Sequence, residues 1–332
     1  MTTSSLFRRV TGSLALFAAA WIGEAAAQDY PVRTVTMVVP YPAGGTGSDV
    51  VARIIAQPLS EALKQPVVID NKPGASTNIG TEFVARAAPD GYTLLFQAPN
   101  LATNEALFNN LKWGIKDFVG VIHVARYTNV LVAGPGAKAV DFREMISQSK
   151  VNPKAFSYGS PGVGSISHLA TELVRQNTGL VMEHVSYRGA TPMAIDLSGG
   201  HLPYAVSSIS NVFSAAKDAK DSKGAIKPVV VLSQRRDPAL PDVPSLADLG
   251  IPNLEGSGWY GIAAPVKTPA AIVARLNQEI NRVLRLAPVQ ERLKALHLNI
   301  EGGTPEEFTR FFHAESSKWS AIVKSANIKA EP

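Results

Sequence analysis

Val35-Thr36-Met37-Val38-Val39-Pro40-Tyr41-Pro42-Ala43-Gly44-Gly45-Thr46-Gly47-Ser48-Asp49 runs from an apolar alternating stretch into a glycine-rich turn, and Val50, Val51, Ile54 and Ile55 follow at helical spacing. Strand, glycine turn and helix in that order expose backbone N–H groups beside the positive end of a helix dipole, a geometry that binds anions. The turn is not a dinucleotide fingerprint, because Val50 stands where a third glycine is needed, and it lacks the Gly-Lys-Ser/Thr ending of a P-loop. A carboxylate is therefore a simpler occupant than a nucleotide.

Residues 1–27 read as an export signal outside the fold. Arg8 and Arg9 form a charged start, Val10 to Ile22 is mostly apolar, and Ala25-Ala26-Ala27 supplies an Ala-x-Ala cleavage site. The apolar run is shorter than the roughly 18–20 residues of a membrane span, and no later segment is long and apolar enough to be one. The expected location is periplasmic. The chain has 332 residues and a formal charge of +5; without Arg8, Arg9 and Glu24 the excess falls by one, to +4. No basic stripe accompanies that excess, so nucleic acid is not an expected partner, while anionic ligands are favoured on encounter. The absence of cysteine excludes disulfides and thiol or Cys-metal chemistry. At this length the core is large enough to do without disulfides, and two domains are expected.

Strand-like and helix-like segments alternate. Val35–Val39, Val67–Asp70 and Tyr92–Gln97 read as strands around helices at Asp49–Leu63, which Pro58 is expected to kink or shorten, and Gly80–Arg86. This βαβαβ order implies a parallel sheet. Val119–Ala125 and Asn129–Ala133 are further strands. A second set follows: strands at Phe156–Gly159, Val181–Val185, Leu202–Val206 and Pro228–Leu232, with helices at Ser165–Asn177 and Pro192–Leu197. The C-terminal third reads as mostly helical, with starts at Thr268-Pro269 and at the capping box Thr304-Pro305-Glu306-Glu307. The matching layouts suggest two similar lobes with a cleft between them.

Three more turns repeat the pattern of the first: Tyr158-Gly159-Ser160-Pro161-Gly162-Val163-Gly164-Ser165, Tyr187-Arg188-Gly189-Ala190-Thr191-Pro192, and Pro73-Gly74-Ala75-Ser76-Thr77-Asn78. Any one alone is explained by ordinary turn chemistry. Four, all at the carboxyl ends of strands where open α/β sheets bind ligands, offer many neutral donors to one cleft. In the second turn Ser165 is expected to cap its helix, which leaves Ser160 and the Gly162–Gly164 backbone as donors. Asp49 is a poor ligand for a carboxylate and suits the first turn of its own helix. Arg188 either pairs with a carboxylate or simply faces solvent. Tyr41, Tyr187, Trp259 and Tyr260 are candidates for an apolar wall, with core packing the alternative for Trp259. For an enzyme there is no Gly-x-Ser-x-Gly elbow and no His-Glu-x-x-His. The six histidines are scattered, and only Ser165 and His168, one helical turn apart, form a Ser/His pair.

With these pieces in order, the chain resembles the Bug family of substrate-binding proteins of tripartite tricarboxylate transporters. The resemblance rests on Pro40-Tyr41-x-x-Gly44-Gly45 with Asp49-Val50-x-Ala52-Arg53, Asn71-Lys72-Pro73-Gly74-Ala75, Pro89-Asp90-Gly91-Tyr92-Thr93-Leu94-Leu95, Tyr158-Gly159-Ser160 through Gly164-Ser165, Val185-x-Tyr187-x-Gly189-Ala190, Arg235-Arg236-x-Pro238-Ala239-Leu240-Pro241-Asp242-Val243-Pro244-Ser245, and Trp259-Tyr260-Gly261-x-x-Ala264-Pro265. It implies an α/β, two-lobed periplasmic binding protein of the type II-like, Venus-flytrap kind, each lobe a mostly parallel sheet flanked by helices. Lobe 1 is expected at 28–126 plus 235–332 and lobe 2 at 127–234.

The function so implied is capture of a small organic carboxylate, a di- or tricarboxylate or an aromatic acid, and its delivery to a permease of one large and one small membrane subunit, with no catalysis and no cofactor or metal. A monomer is expected. The ligand residues implied are Tyr41, Ala43, Gly44, Gly45, Thr46, Ser48, Gly74, Ala75, Thr77, Asn78, Pro99, Asn100, Ser160, Gly162, Gly164, Ser165, His168, Tyr187, Arg188, Gly189, Ala190 and Ser207. Two departures stand out. Three residues, not the usual two, separate Gly45 from Asp49, and Ser207-Ser208 stands where the family's strand ends in an acidic residue. The lost acid disfavours a ligand with an amino group. A ligand-sensing adaptor for a signalling system is the main alternative, and an exported hydrolase resting on Ser165 and His168 is the weaker one.

Overall fold

The computed structural model describes residues 30–44, 47–212 and 226–329, so the expected signal at 1–27 and the turn residues Gly45 and Thr46 lie outside the described residues. Its first half builds β1 (Val35–Val39), α1 (Ser48–Leu63), β2 (Val67–Asn71), α2 (Asn78–Ala85), β3 (Thr93–Gln97) and α3 (Asn100–Leu107), then β4 (Phe118–Tyr127). The second set comprises β5 (Asn129–Ala133), α4 (Phe142–Val151), β6 (Ser157–Ser160), α5 (Ile166–Thr178), β7 (Glu183–Ser186), α6 (Ala190–Ser198), β8 (Tyr204–Ser208) and β9 (Lys227–Val231). The chain ends with β10 (Gly258–Pro265), α7 (Ala270–Leu284), α8 (Ala287–Ala295), β11 (Asn299–Gly302) and α9 (Pro305–Ser325).

These elements form two sheets, with strand orders β11-β4-β10-β3-β1-β2 and β7-β6-β8-β5-β9. The α/β architecture is as expected, but both sheets are mixed. Parallel pairing is confined to β2-β1-β3 in the first and β7-β6-β8 in the second. These are the strands joined by helical crossovers, which parallel neighbours require. The others are antiparallel: β10 lies between β3 and β4, β11 edges β4, and β5 lies between β8 and β9.

β10 corrects the mostly helical reading of the C-terminal third. All eight of its residues are buried, so it shows none of the two-residue alternation that marks a half-exposed strand. Its glycines make room for rings. A Cβ on Gly258 would lie 2.0 Å from the Tyr127 ring, and one on Gly261 2.0 Å from the Phe308 ring. α1 also departs from expectation, running unbroken past Pro58. Ile54 and Ile55 before the proline and Leu59 and Leu63 after it are buried on one face, and that packing outweighs the single backbone hydrogen bond a proline removes.

Only Thr128 separates β4, in the first sheet, from β5, in the second. Its Oγ1 donates to the buried Asp237 at 2.6 Å, and its carbonyl accepts from Ile209 N at 3.0 Å. Next to it the Asn129 amide donates to the Gly256 carbonyl at 2.7 Å. One apolar core spans both sheets. It joins Leu95, Phe118, Trp259, Phe308 and Trp319 to Tyr158, Leu169, Val174, Val206 and Val230, and within it α9 packs against α5.

Gly261→Ala is expected to destabilise the protein by about 1–3 kcal/mol, the usual result of forcing extra volume into a packed core. Urea unfolding checks this. An unchanged midpoint would show that Phe308 yields freely.

Candidate ligand-binding site

A cavity of about 230 Å³ lies between the two sheets, beside the Thr128 crossing. Its lining comes from turn and helix-start residues and from strand ends. Gly47 caps α1, Pro99 and Asn100 begin α3, and Gly164, Ser165, Ile166 and Ser167 surround the start of α5. Tyr127, Asn129, Ser207 and Tyr260 come from strands, and Thr103, Pro161, Ser208, Ser210 and Asn211 complete it. Three helix starts thus border one space; first-turn N–H groups have no acceptor within their own helix, and of these Leu101 N, Ala102 N and His168 N are engaged by Ala98, Pro99 and Ser165. None of the described residues in the lining carries a formal charge. The arrangement suits a small anion held by neutral donors and helix ends.

Asp49 organises the first turn from behind. Its carboxylate is almost fully buried; Oδ2 accepts from Gly44 N and Arg53 Nε, both at 2.9 Å, and Oδ1 accepts from Asn71 Nδ2 at 2.9 Å. Burial works against the charge, but Arg53, Asn71 and the Gly44 amide outweigh it and hold the carboxyl below its usual range. The helix cap is Gly47, not Asp49. Gly47 sits at φ 82°, and a Cβ there would come within 2.7 Å of the Tyr260 hydroxyl. Tyr41 stands just outside the cavity lining and donates to Asn100 Oδ1 at 3.0 Å. Tyr127 and Tyr260 pack with ring centroids 5.2 Å apart. Burial raises the pKa of all three phenols, so they stay neutral. Trp259 is fully buried in the core and is not a wall of the cavity.

The second turn differs from its expectation. Ser165 caps α5, its Oγ accepting from His168 N at 3.3 Å. Ser160, however, is fully buried and committed. Its Oγ donates to the Gly162 carbonyl at 3.0 Å, meets His184 Nε2 at 2.7 Å and accepts from Gly162 N at 3.3 Å. The Gly164 amide donates to His168 Nδ1 at 3.1 Å. The donors expected to be free from Ser160, Gly162 and Gly164 are therefore turned inward, because a tight turn satisfies its own polar groups once it is buried. His168 is buried behind the turn, stacked on His184 with centroids 3.8 Å apart, and does not line the cavity.

Of the residues expected to bind ligand, Pro99, Asn100, Gly164, Ser165 and Ser207 line this cavity. Ala43 and Gly44 are exposed and Ser48 is buried at the start of α1. Gly74, Ala75, Thr77 and Asn78 form a separate turn over Asn104, whose amide donates to the Ser76 carbonyl and to Asn78 Oδ1, both at 2.8 Å. Ala75, Ser76 and Thr77 all have positive φ, at 44°, 52° and 77°, which is costly for residues with a Cβ. Tyr187 donates to Asp196 at 2.9 Å, Arg188 is exposed, and Gly189 and Ala190 begin α6 just outside the lining, the Gly189 amide donating to the carbonyl of the lining residue Pro161 at 3.1 Å. Sequence reasoning did not single out Tyr127, Asn129, Thr103, Ser167, Ser210 and Asn211 as ligand residues. The expected lobe boundary between 126 and 127 was the available signal for the first two.

Residues 51–328 match the family model described as tripartite tricarboxylate transporter family receptor. Protein BugT of Bordetella pertussis is 33% identical over 306 residues, covering 91% of this chain and 92% of that protein. Among solved structures, Rpa4515 of R. palustris with adipate aligns with a TM-score of 0.77 and 33% identity, covering 91% of this chain and 100% of its own. MatC of Rhodopseudomonas palustris with bound malate aligns with a TM-score of 0.73 and 31% identity, covering 89% and 100%.

Two measurements follow from the turns. Ser76→Gly relieves a left-handed residue with an exposed side chain and is expected to stabilise the protein by about 0.5–1 kcal/mol, read as a higher urea midpoint. Burial, the leading cause for each, lowers the pKa of His123 to about 3 and of His168 and His184 to about 4, from an ordinary 6.5. Their contribution to stability is complete above pH 6.5, where neither state binds the protons. It falls as pH drops toward 4, because only the unfolded chain protonates. Unfolding midpoints at about pH 7 and pH 5 are expected to differ in that direction, with a ceiling of about 2 kcal/mol for each ring. Equal midpoints would mean that the rings are not desolvated.

Proposed function

The chain belongs to the tripartite tricarboxylate transporter receptor family, a family of periplasmic receptors and not of enzymes, and on that premise we propose that it captures a small organic carboxylate between two lobes and delivers it to the permease subunits of such a transporter. The observation that carries this reading is the cavity between the sheets, with three helix starts, several hydroxyl and amide groups and, among the described residues, no charged side chain in its lining. Two aligned relatives of known structure hold the diacids adipate and malate.

The strength is adequate without an arginine clamp. Each helix end contributes about 0.3–1 kcal/mol toward an anion, and a hydrogen bond to a charged group about 1.5–3 kcal/mol. Several together reach the region of −8 kcal/mol, a micromolar dissociation constant. The lobes of this reading are 28–126 with 235–332, and 127–234. Ligand contacts to both favour the closed form. Residues 1–27 direct export, and the receptor acts as a monomer.

Among the described residues no acidic side chain lines the cavity, and Ser207 stands at the strand end. An ammonium group would be buried there without a counter-charge, which is costly. The ligand is therefore a purely anionic acid. In a thermal-shift screen, simple mono- and dicarboxylates such as adipate and malate are expected to raise the melting temperature by roughly 5 °C or more at a hundred-fold excess over Kd, while aspartate is not. Stabilisation by aspartate alone would overturn the specificity, and stabilisation by no organic acid would overturn the carboxylate reading.

A further inference from the structure

Behind the wall that the turn 160–165 presents to the cavity, two histidines from different elements meet face to face. His168 lies in the first turn of α5 and His184 on β7. Their rings stack with centroids 3.8 Å apart and an interplanar angle of 9°. Neither lines the cavity, but each holds one end of the turn that does.

The hydrogen-bond roles follow from bookkeeping of single protons. The Gly164 N–H donates to His168 Nδ1 at 3.1 Å, so that nitrogen carries a lone pair and the ring's proton is on Nε2. Ser160 Oγ lies 3.0 Å from the Gly162 carbonyl and 2.7 Å from His184 Nε2, and the His184 tautomer sets which of the two takes its proton. His168 is the acceptor at the Gly164 end, and it loses its only acceptor atom toward Gly164 when Nδ1 is protonated.

We propose that His168 and His184 are positioning residues for the ligand site, and that the neutral Nδ1 of His168, through Gly164, fixes the start of α5 against the cavity. Gly164 leaves little slack: its φ is 74° and a Cβ there would lie 2.6 Å from Leu107. The groups facing the pair are Tyr158 on β6 and Glu172 and Arg175 on α5. Glu172 is already engaged by the Tyr158 hydroxyl at 3.0 Å and by Arg175 at 2.6 Å. The Glu172 charge favours an imidazolium at His184 but is outweighed there by burial and the neighbouring ring, and at His168 burial and the Arg175 charge lower the pKa to about 4.

The functional half of this inference rests on the carboxylate-receptor reading; the structural half does not. The test therefore has a ligand-free arm and a ligand arm. In the unliganded protein, the amide-exchange protection factor of Gly164 is measured for the wild type, for His168→Phe, which keeps a ring without an acceptor, and for His168→Asn, whose Oδ1 replaces Nδ1 and does not titrate. His168→Phe is expected to lose about ten-fold in protection and His168→Asn to restore it. As pH falls from about 7 to about 4.5, the wild type loses protection and His168→Asn does not. In the second arm, adipate titrated by calorimetry at about pH 7 is expected to bind His168→Phe about ten-fold more weakly than the wild type, with recovery in His168→Asn.

Wild-type protection in His168→Phe overturns the positioning role whatever the ligand. Loss of protection with unchanged adipate affinity overturns the link to the site. If the wild type binds neither adipate nor any other acid, the carboxylate reading fails, while the exchange arm still decides the role of the histidines. His184→Gln, whose amide can donate to Ser160 or accept from it, serves as the second variant should His168→Phe fold poorly, and a fall in Gly164 protection there of the size expected for the phenylalanine variant would count against His168 as the controlling ring.

Discussion

Thr128 is all that lies between a strand of one sheet and a strand of the other. A single residue allows no slack, so the ends of β4 and β5 are held at a fixed separation, and the side chains on either side of it, Tyr127 and Asn129, both reach the cavity. The chain that returns from the second sheet is tied to the same point. Leu232 N donates to the Asn129 carbonyl at 2.8 Å, and the Asn129 amide donates to Gly256. The cavity sits where it does because the backbone has to cross there. Every helix start that lines it is aimed by a strand whose position the crossing sets.

The electrostatic design of the site separates charge from contact. Asp49 is the charge nearest the first turn, and all of its hydrogen bonds run away from the cavity, to Gly44, Arg53 and Asn71. What faces the cavity is hydroxyl, amide and helix-end backbone. Phenols whose ionisation is suppressed by burial belong to the same scheme, since a neutral Tyr260 donates to an anion and a phenolate would repel it. Fixed dipoles cost little to organise when a ligand arrives, because the fold has already oriented them.

Much of this was legible in the sequence, for identifiable reasons. Helix starts announced themselves through local chemistry. Ser165 and Thr304 are caps in the structure, and Thr304 with Glu307 forms the full capping box. The parallel strands β1, β2 and β3 were legible from apolar runs between turns. β10 was not, because a strand buried on both faces has no alternation, and its glycines are slots for Tyr127 and Phe308 that only the folded chain reveals. Within the site, the turns were legible but the destination of their donors was not. Whether Ser160 points at a ligand or at His184 depends on a residue 24 positions away in sequence. Tertiary partners of that kind leave no local pattern.

The core that spans both sheets sets the mechanics of any opening. α9 belongs to the chain's last segment, yet it packs on α5 of the second sheet, and Ser325 and Gln176 exchange hydrogen bonds at 2.9 and 3.1 Å. Two bodies welded by shared apolar packing on one side do not swing apart like free doors. Separating the sheets on that side would expose the side chains that α9 and α5 bury together, so the seam stiffens the pair against any motion that parts them.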